Sequence, residues 1–387
     1  MPIQNHRSSA DSDTRHSDFG PAAFADSAFF EHVLAASEKC GVTRLADITG
    51  LDRLSLPVWQ AVRPAGRALS VHQGKGASPI AAKIGALCEA IESHCAENAQ
   101  ADGPVSRFDE LPASQTAAEI GDFCSSRDVV LPDEAAIQWC RTTDAITGNA
   151  LYIPQAVVSL DYTKGLPSPF DRSSSGLGAG PTHSAALQTS VLELIERDAV
   201  GAWQRSATAM PVCDAIDLST VPFDWFQAWR DRFRSFNVAL DCYPVPSFTS
   251  VPVFCCAIGA QEEFGPQYRR FHGTSAHPDA EVALFKALAE AIQSRLTLIA
   301  GVRDDILPSY YSAREEKPAG AGRRIRLQPW REFTVSHSSW EAIVEELAMH
   351  GYRQIAVKML SEGLEGIVVT KAFVPGLGSL TRSRRAA

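Results

Sequence analysis

Three stretches of the chain carry acidic side chains at matching positions. The first runs from Gly76 to Glu92 and ends on Glu89 and Glu92. The second runs from Gly180 to Glu196 and ends on Glu193 and Glu196. The third runs from His277 to Gln293 and ends on Glu290 and Gln293. They align without a gap: Ala82, Ala186 and Ala283 match, as do Leu87, Val191 and Leu288, then Ile91, Ile195 and Ile292. Residues three apart lie one turn apart on one face of a helix, so each repeat offers a pair of oxygen donors on one side. A single Glu-x-x-Glu pair reads as a solvated helix face. Three pairs in register, on helices otherwise rich in Ala, Leu and Ile, point to a shared task. Carboxylates gathered together repel unless a cation neutralises them. Oxygen donors with no Cys/His set beside them favour Mg²⁺ or Ca²⁺ over zinc, and Mg²⁺ is commonly shared with substrate phosphates. The donor types alone leave Mg²⁺ and Ca²⁺ both open.

The elements that must hold these acids are helices over Pro79–Ala99, His183–Arg205 and Asp279–Gly301. Each is preceded by a stretch rich in glycine or small residues, expected to be a loop: Gly74–Gly76, Ser173–Gly180 and Gly273–Ala276. Glycine lets backbone N–H groups approach phosphate oxygens, and a helix N-terminus favours anions. Lys75 could add a point charge. The spacing of a Walker A loop is absent, and no G-x-G-x-x-G opens a helix after a strand. Further helices are expected over Phe29–Ala36 and Ser339–His350. Strands are expected over Thr43–Ile48, Pro57–Val62, Ala150–Leu160, Val238–Val245 and Val251–Ile258, with a polar connection over Gln100–Thr116. Strands and helices interleave without a regular βαβ period, which predicts a mixed α+β fold.

The formal net charge of −9 argues against general nucleic-acid binding, which needs a basic surface. Three arginines between Arg382 and Arg385 read as a solvated end. No apolar run approaches the length of a membrane span, and no signal-peptide core is present. The nine cysteines show no C-x-x-C pair, which predicts reduced, mostly buried thiols in a cytoplasmic protein. None falls within the three small-residue stretches, so none is expected to be a nucleophile. The expected organisation is a disordered segment over 1–27, one catalytic domain over 28–378 and a basic tail over 379–387.

With these residues in view, the chain resembles the YcaO family over roughly residues 40 to 378. Gln73-Gly-Lys-Gly-Ala-Ser-Pro79 through Glu92 is similar to that family's GKG segment and first acidic helix. Ser174-Ser-Gly-Leu-Gly-Ala-Gly180 followed by Leu192-Glu-Leu-Ile-Glu-Arg-Asp-Ala199 resembles its SNGLAAG and ExxERDA stretches. Ser275 through Arg295, then Gly301-Val-Arg-Asp-Asp305, resembles its third motif, and Val374-Pro-Gly-Leu377 its closing segment. The chain departs from the pattern at Gly85 (serine in the family), Ser93 (arginine) and Ser175 (asparagine), but the acids are kept.

The resemblance implies a YcaO-type fold and ATP- and Mg²⁺-dependent activation of a peptide backbone amide. It implies metal ligation by Glu89, Glu92, Glu193, Glu196 and Glu290. Lys75, Ser78, Glu89, Ser174, Glu193, Arg197, Gln293 and Arg295 would surround the nucleotide; no catalytic residue is assigned. Gly41–Arg53 and Leu160-Asp-Tyr-Thr163 resemble members encoded beside TfuA proteins, which are linked to thioamides. The end Leu380–Ala387 lacks the proline-rich tail of azoline-forming members. A peptide or protein substrate and a TfuA-like partner are therefore expected, and a homodimer is compatible with the resemblance. The alternatives are an azoline- or amidine-forming cyclodehydratase and a non-catalytic nucleotide-binding scaffold for a precursor peptide.

Overall fold

A computed structural model describes residues 27–116, 119–125, 136–164, 168–206, 212–260, 269–312, 324–333, 339–380 and 383. Apart from Ser27, the expected disordered segment 1–27 lies outside them, as does most of the tail 379–387. The chain begins with α1 (Ser27–Lys39), β1 (Arg44–Asp47), β2 (Val58–Val62), β3 (Val71–Lys75) and α2 (Pro79–Glu97). It continues with β4 (Val105–Ser106), β5 (Ile137–Asp144), β6 (Ala150–Pro154), α3 (Gln155–Val158), β7 (Leu177–Gly180) and α4 (His183–Ser206). Next come β8 (Val212–Asp217), α5 (Asp224–Ser235), β9 (Val238–Pro244), β10 (Val253–Ala260), β11 (Phe271–Ala276) and α6 (Ala280–Ala300). The last elements are α7 (Pro308–Ser312), β12 (Arg324–Pro329), α8 (Trp340–Met349), β13 (Ala356–Met359) and β14 (Val368–Phe373).

The helices that carry the acids stand where the apolar periodicity put them. The small-residue stretches before them differ from expectation. Lys75, Leu177–Gly180 and Gly273–Ala276 are strand residues, so the repeated unit is a strand followed by a helix: β3–α2, β7–α4 and β11–α6. Two further expectations are corrected. The run Ala150–Leu160 is a strand only to Pro154, after which Gln155–Val158 turns into helix. The connection Gln100–Thr116 contains β4, which pairs with β5.

The described residues of Met1–Pro64, Leu69–Ala90 and Trp203–Ser338 form one compact unit, and those of Ala65–Ala68, Ile91–Ala202 and Ser339–Ala387 form another. The first unit contains the antiparallel sheets β1-β2-β3 and β11-β10-β9 and the parallel pair β12-β8. Its core gathers α5 and α6 over β9 and β10. In α5, Trp225, Phe226, Trp229 and Phe233 are buried at spacings of one face, with Arg232 at its edge over the Trp229 ring and Arg234 exposed on the other side. Strand β3 alternates between two neighbours. Its Gly74 meets α2, while Gln73 accepts from Thr297 of α6 and Lys75 reaches Glu290 of the same helix.

The second unit is built on the antiparallel order β4-β5-β13-β14-β7, with β6 on β5. Phe123 and Phe373 stack 4.7 Å apart in its core, beside Cys140, Leu151 and Ile153. Helix α4 docks through Ser190, whose Oγ lies 2.8 Å from Thr370 Oγ1 of β14. None of the nine cysteines forms a disulfide, and eight are buried.

Candidate functional site

The three strand–helix repeats share a start, a close approach and a latch. Each helix opens on a side-chain cap eleven residues before its first acid. Ser78 Oγ accepts from Ala81 N–H at 3.2 Å, Thr182 Oγ1 from Ala185 N–H at 3.2 Å, and Asp279 Oδ1 from Glu281 N–H at 2.8 Å. Such caps satisfy the first orphan N–H groups of a helix. The strand then lies hard against the helix through a glycine. A Cβ at Gly74 would stand 2.1 Å from Ala82 O, one at Gly178 would stand 2.5 Å from Ala186 O, and Gly273 is as tightly placed against Ala287 and Ala291. That proximity lets the first acid of each helix reach back to its own strand. Glu89 Oε2 accepts from Gln73 N–H at 3.0 Å, Glu193 Oε2 from Gly176 N–H at 3.1 Å and Glu290 Oε1 from Thr274 N–H at 3.4 Å. One carboxylate oxygen of each acid thus serves the fold, and the other faces a basic side chain.

In the first unit, Lys75 Nζ donates to Glu290 Oε2 at 3.0 Å, with both side chains partly exposed. His72, wholly buried on β3, holds Nδ1 3.9 Å from Glu89 Oε1. Burial alone would raise the Glu89 pKa. His72, the Gln73 N–H and the Arg303 charge outweigh it and hold the carboxyl below its ordinary value. Two residues expected at the nucleotide are already engaged here. Ser78 is the helix cap, and Arg295 donates through Nε to Asp52 Oδ2 at 2.8 Å. Gln293 lies one turn beyond Glu290 on α6, partly buried, with its carbonyl accepting from Thr297 Oγ1 at 2.8 Å.

In the second unit, Arg197 Nη2 donates to Glu193 Oε1 at 3.3 Å, and Glu196 follows one turn later on α4. Ser174 is exposed at the crest of the turn before β7. Lys371 of β14 is 2% exposed, and its Nζ donates to the carbonyls of Ser173 and Ser175, each at 2.6 Å. Burial pushes its amine down to about 8, against the pull of Glu193, Asp171 and Glu92. Glu92 is partly buried in this unit. Lys371, Arg303 and His72 went unnoticed in the sequence. A lysine beside Thr370 in a run otherwise apolar from Val368 to Val374 but for that threonine was the available signal for the first. Arg303 lies inside the Gly301–Asp305 stretch, and His72 carried no signal.

Among the described residues, no group of three or more His, Cys, Asp or Glu side chains meets closely enough to hold a metal. Partly exposed carboxylates such as Glu89, Glu193 and Glu290, each with one oxygen committed to its strand, suit an ion that keeps several waters and takes other ligands from phosphate. That is the habit of Mg²⁺ rather than of Ca²⁺, which takes six to eight oxygen ligands. Taken unit by unit, these acids are of a kind that would suit Mg²⁺ shared with a nucleotide phosphate, whose charge the ion would neutralise. Among the described residues, no helix is long and apolar enough to cross a membrane.

Comparison with known proteins agrees with this chemistry. Residues 73–378 match the family described as YcaO cyclodehydratase, ATP- and Mg²⁺-binding. A Rhizobium leguminosarum bv. trifolii protein, described as uncharacterized in the tfuA 3′ region, is 30% identical over 93% of this chain and 89% of its own length. The Methanopyrus kandleri YcaO bound with AMPPCP and Mg²⁺ shares the fold at a TM-score of 0.70, with 18% identity, over 96% of this chain and 97% of that one. A heterocyclase in complex with substrate and cofactor does so at 0.74, with 19% identity, over 90% of this chain; the chain spans 52% of that protein's length. With acids and cations on the repeated strand–helix units and the family pattern covering most of the sequence, the chain belongs to the YcaO family of ATP- and Mg²⁺-dependent enzymes.

Proposed function

We propose that this enzyme converts a backbone amide of a peptide or protein into a thioamide, together with a TfuA-like partner. The observation that carries the reading is the 30% identical relative, alike over nearly its whole length and described by its place beside tfuA. The sulfur of a sulfide donor attacks the amide carbon, and the carbonyl π pair moves to oxygen. That oxyanion takes the γ-phosphoryl group of ATP, releasing ADP. The tetrahedral carbon then expels phosphate with its former oxygen and, after losing the sulfur-bound proton, keeps sulfur in its place. Lys75, Ser174 and Arg197 are assigned to the phosphates. Glu89, Glu92, Glu193, Glu196 and Glu290 are assigned to Mg²⁺, with Gln293 beside them. Such a site works by positioning and by neutralising charge where it develops.

The test has two parts. Glu193→Gln and Glu196→Gln are expected to keep the fold and to lose Mg²⁺-dependent ATP binding by calorimetry; tight binding by both would sink the metal assignment. Incubation with a candidate peptide, ATP, Mg²⁺ and sulfide, with and without a TfuA-like protein, is read by mass spectrometry. Exchange of oxygen for sulfur only when the partner is present is the expected product. Equal product without it would remove the partner.

A second reading, cyclodehydration, is favoured by the family description and by the heterocyclase fold. It predicts loss of water from the peptide with no need for sulfide.

A further inference from the structure

The turn that presents Ser174 is held from inside at several points. Gly176 has φ +82°, and a Cβ there would lie 2.3 Å from Ala372 O. Its N–H goes to Glu193, and its carbonyl accepts from Ala372 N–H at 2.8 Å. The carbonyl of Ser174 accepts from Leu177 N–H at 3.0 Å. The carbonyls of Ser173 and Ser175 turn to the one ammonium of Lys371, which sits on β14 opposite Leu177 in the β14–β7 register. A buried ammonium is costly unless its protons find acceptors. Lys371 spends two of them on alternate carbonyls of a single turn, while the Ser174 side chain between them stays exposed. A cation serving general stability would need only nearby acids. This one binds the backbone on either side of the residue that points outward.

We propose that Lys371 is a positioning residue for the nucleotide: by holding the carbonyls of Ser173 and Ser175 it fixes the turn that offers Ser174 to phosphate. The inference rests on the reading of Ser174 as a nucleotide contact. It is tested by a double-mutant cycle with Ser174→Ala and Lys371→Met, reading calorimetric affinity for a non-hydrolysable ATP analogue with Mg²⁺. Lys371→Met is expected to weaken binding about tenfold, the scale of one charge-assisted hydrogen bond. The double variant should bind no more weakly than Lys371→Met alone, because the serine has already lost its place. A lysine that only stabilises the fold would lower the melting temperature and leave affinity untouched. Unchanged affinity in Lys371→Met, or losses that simply add, would overturn the proposal. Should Lys371→Met fail to fold, Lys371→Gln takes its place with the same outcomes, being one bond shorter and unable to hold both carbonyls. Amide exchange at residues 173–177 in nucleotide-free protein is read in parallel, with faster exchange expected in the variant and unchanged exchange counting against it. A wild-type protein that binds no nucleotide would sink the proposed function instead, and the exchange result still decides whether Lys371 sets the turn.

Discussion

Glu290 and Glu193 occupy the same position in their repeats and grip their own strands in the same way, yet the lysines near them differ in kind. Lys75 pairs with Glu290 through one contact, and its side chain is 23% exposed. Lys371, near Glu193, is 2% exposed and fixed by two carbonyls. A partly exposed pair contributes little net stability, on the order of 0.2–1 kcal/mol, so Lys75 can change partner at small cost. Lys371 cannot leave without stranding two carbonyls. One geometry of latch thus stands beside two kinds of cation: one lightly held, which the proposed function assigns to phosphate, and one that holds backbone carbonyls.

The largest effect is expected where both latches would break at their base. Gly273→Val or Gly178→Val drives a side chain into helix backbone, and either should cost about 3 kcal/mol or more in urea unfolding. A loss under about 1 kcal/mol at both would show that the strands are not held as tightly as the repeats require.

The next effect separates the two lysines by pH. The Lys371 amine titrates near 8 in the folded protein and near its ordinary 10.5 in the unfolded chain. Between those values the unfolded state binds the extra proton. Wild-type stability should therefore rise relative to Lys371→Met from about pH 8 to 10.5, by up to about 3 kcal/mol. Below pH 8 the difference should be flat. Parallel curves through the whole window would remove the buried-charge account.

A smaller effect distinguishes latch from charge. Glu193→Gln keeps an oxygen for the Gly176 N–H, whereas Glu193→Ala leaves that donor unmet. The alanine variant should be less stable than the glutamine by about 1–2 kcal/mol, while both lose nucleotide binding. Smallest of all, Lys75→Ala should change stability by less than about 1 kcal/mol yet weaken ATP binding. A large stability loss there would erase the contrast between the two lysines.

The helices were legible because Ala, Leu and Ile recur at helical spacing, and because Asp279 and Gly301 mark the ends of α6 as N-cap and left-handed C-cap. The strands before them were not. Val71-His-Gln-Gly-Lys75, Leu177-Gly-Ala-Gly180 and Phe271-His-Gly-Thr-Ser-Ala276 are poor in β-branched residues, and their glycines read as turns. They are strands because they pair along β2, β14 and β10, and they carry glycine because the helix beside them accepts nothing larger at the point of contact. Helix α5 also escaped notice, since its aromatic residues have modest helix propensity and its stability comes from burial. Within the site, the acids could be found by internal alignment. The partners of the acids could not, because Lys75 and Glu290, or Lys371 and Ser173, are far apart in the chain and only the fold joins them.

The latch has a bearing on how such a chain drifts over generations. The three repeats serve as an internal record: the first acid is Glu at 89, 193 and 290, whereas the second is Glu at 92 and 196 but Gln at 293. A residue that both ties a strand and faces the chemistry answers to two selective pressures. It would be retained by folding alone even in a lineage that had given up the reaction. In such a lineage the tolerated exchange at the first position is glutamine, which keeps the acceptor and discards the charge. Glutamine at 89, 193 or 290 in a descendant would therefore be the molecular mark of a fold that has outlived its catalysis.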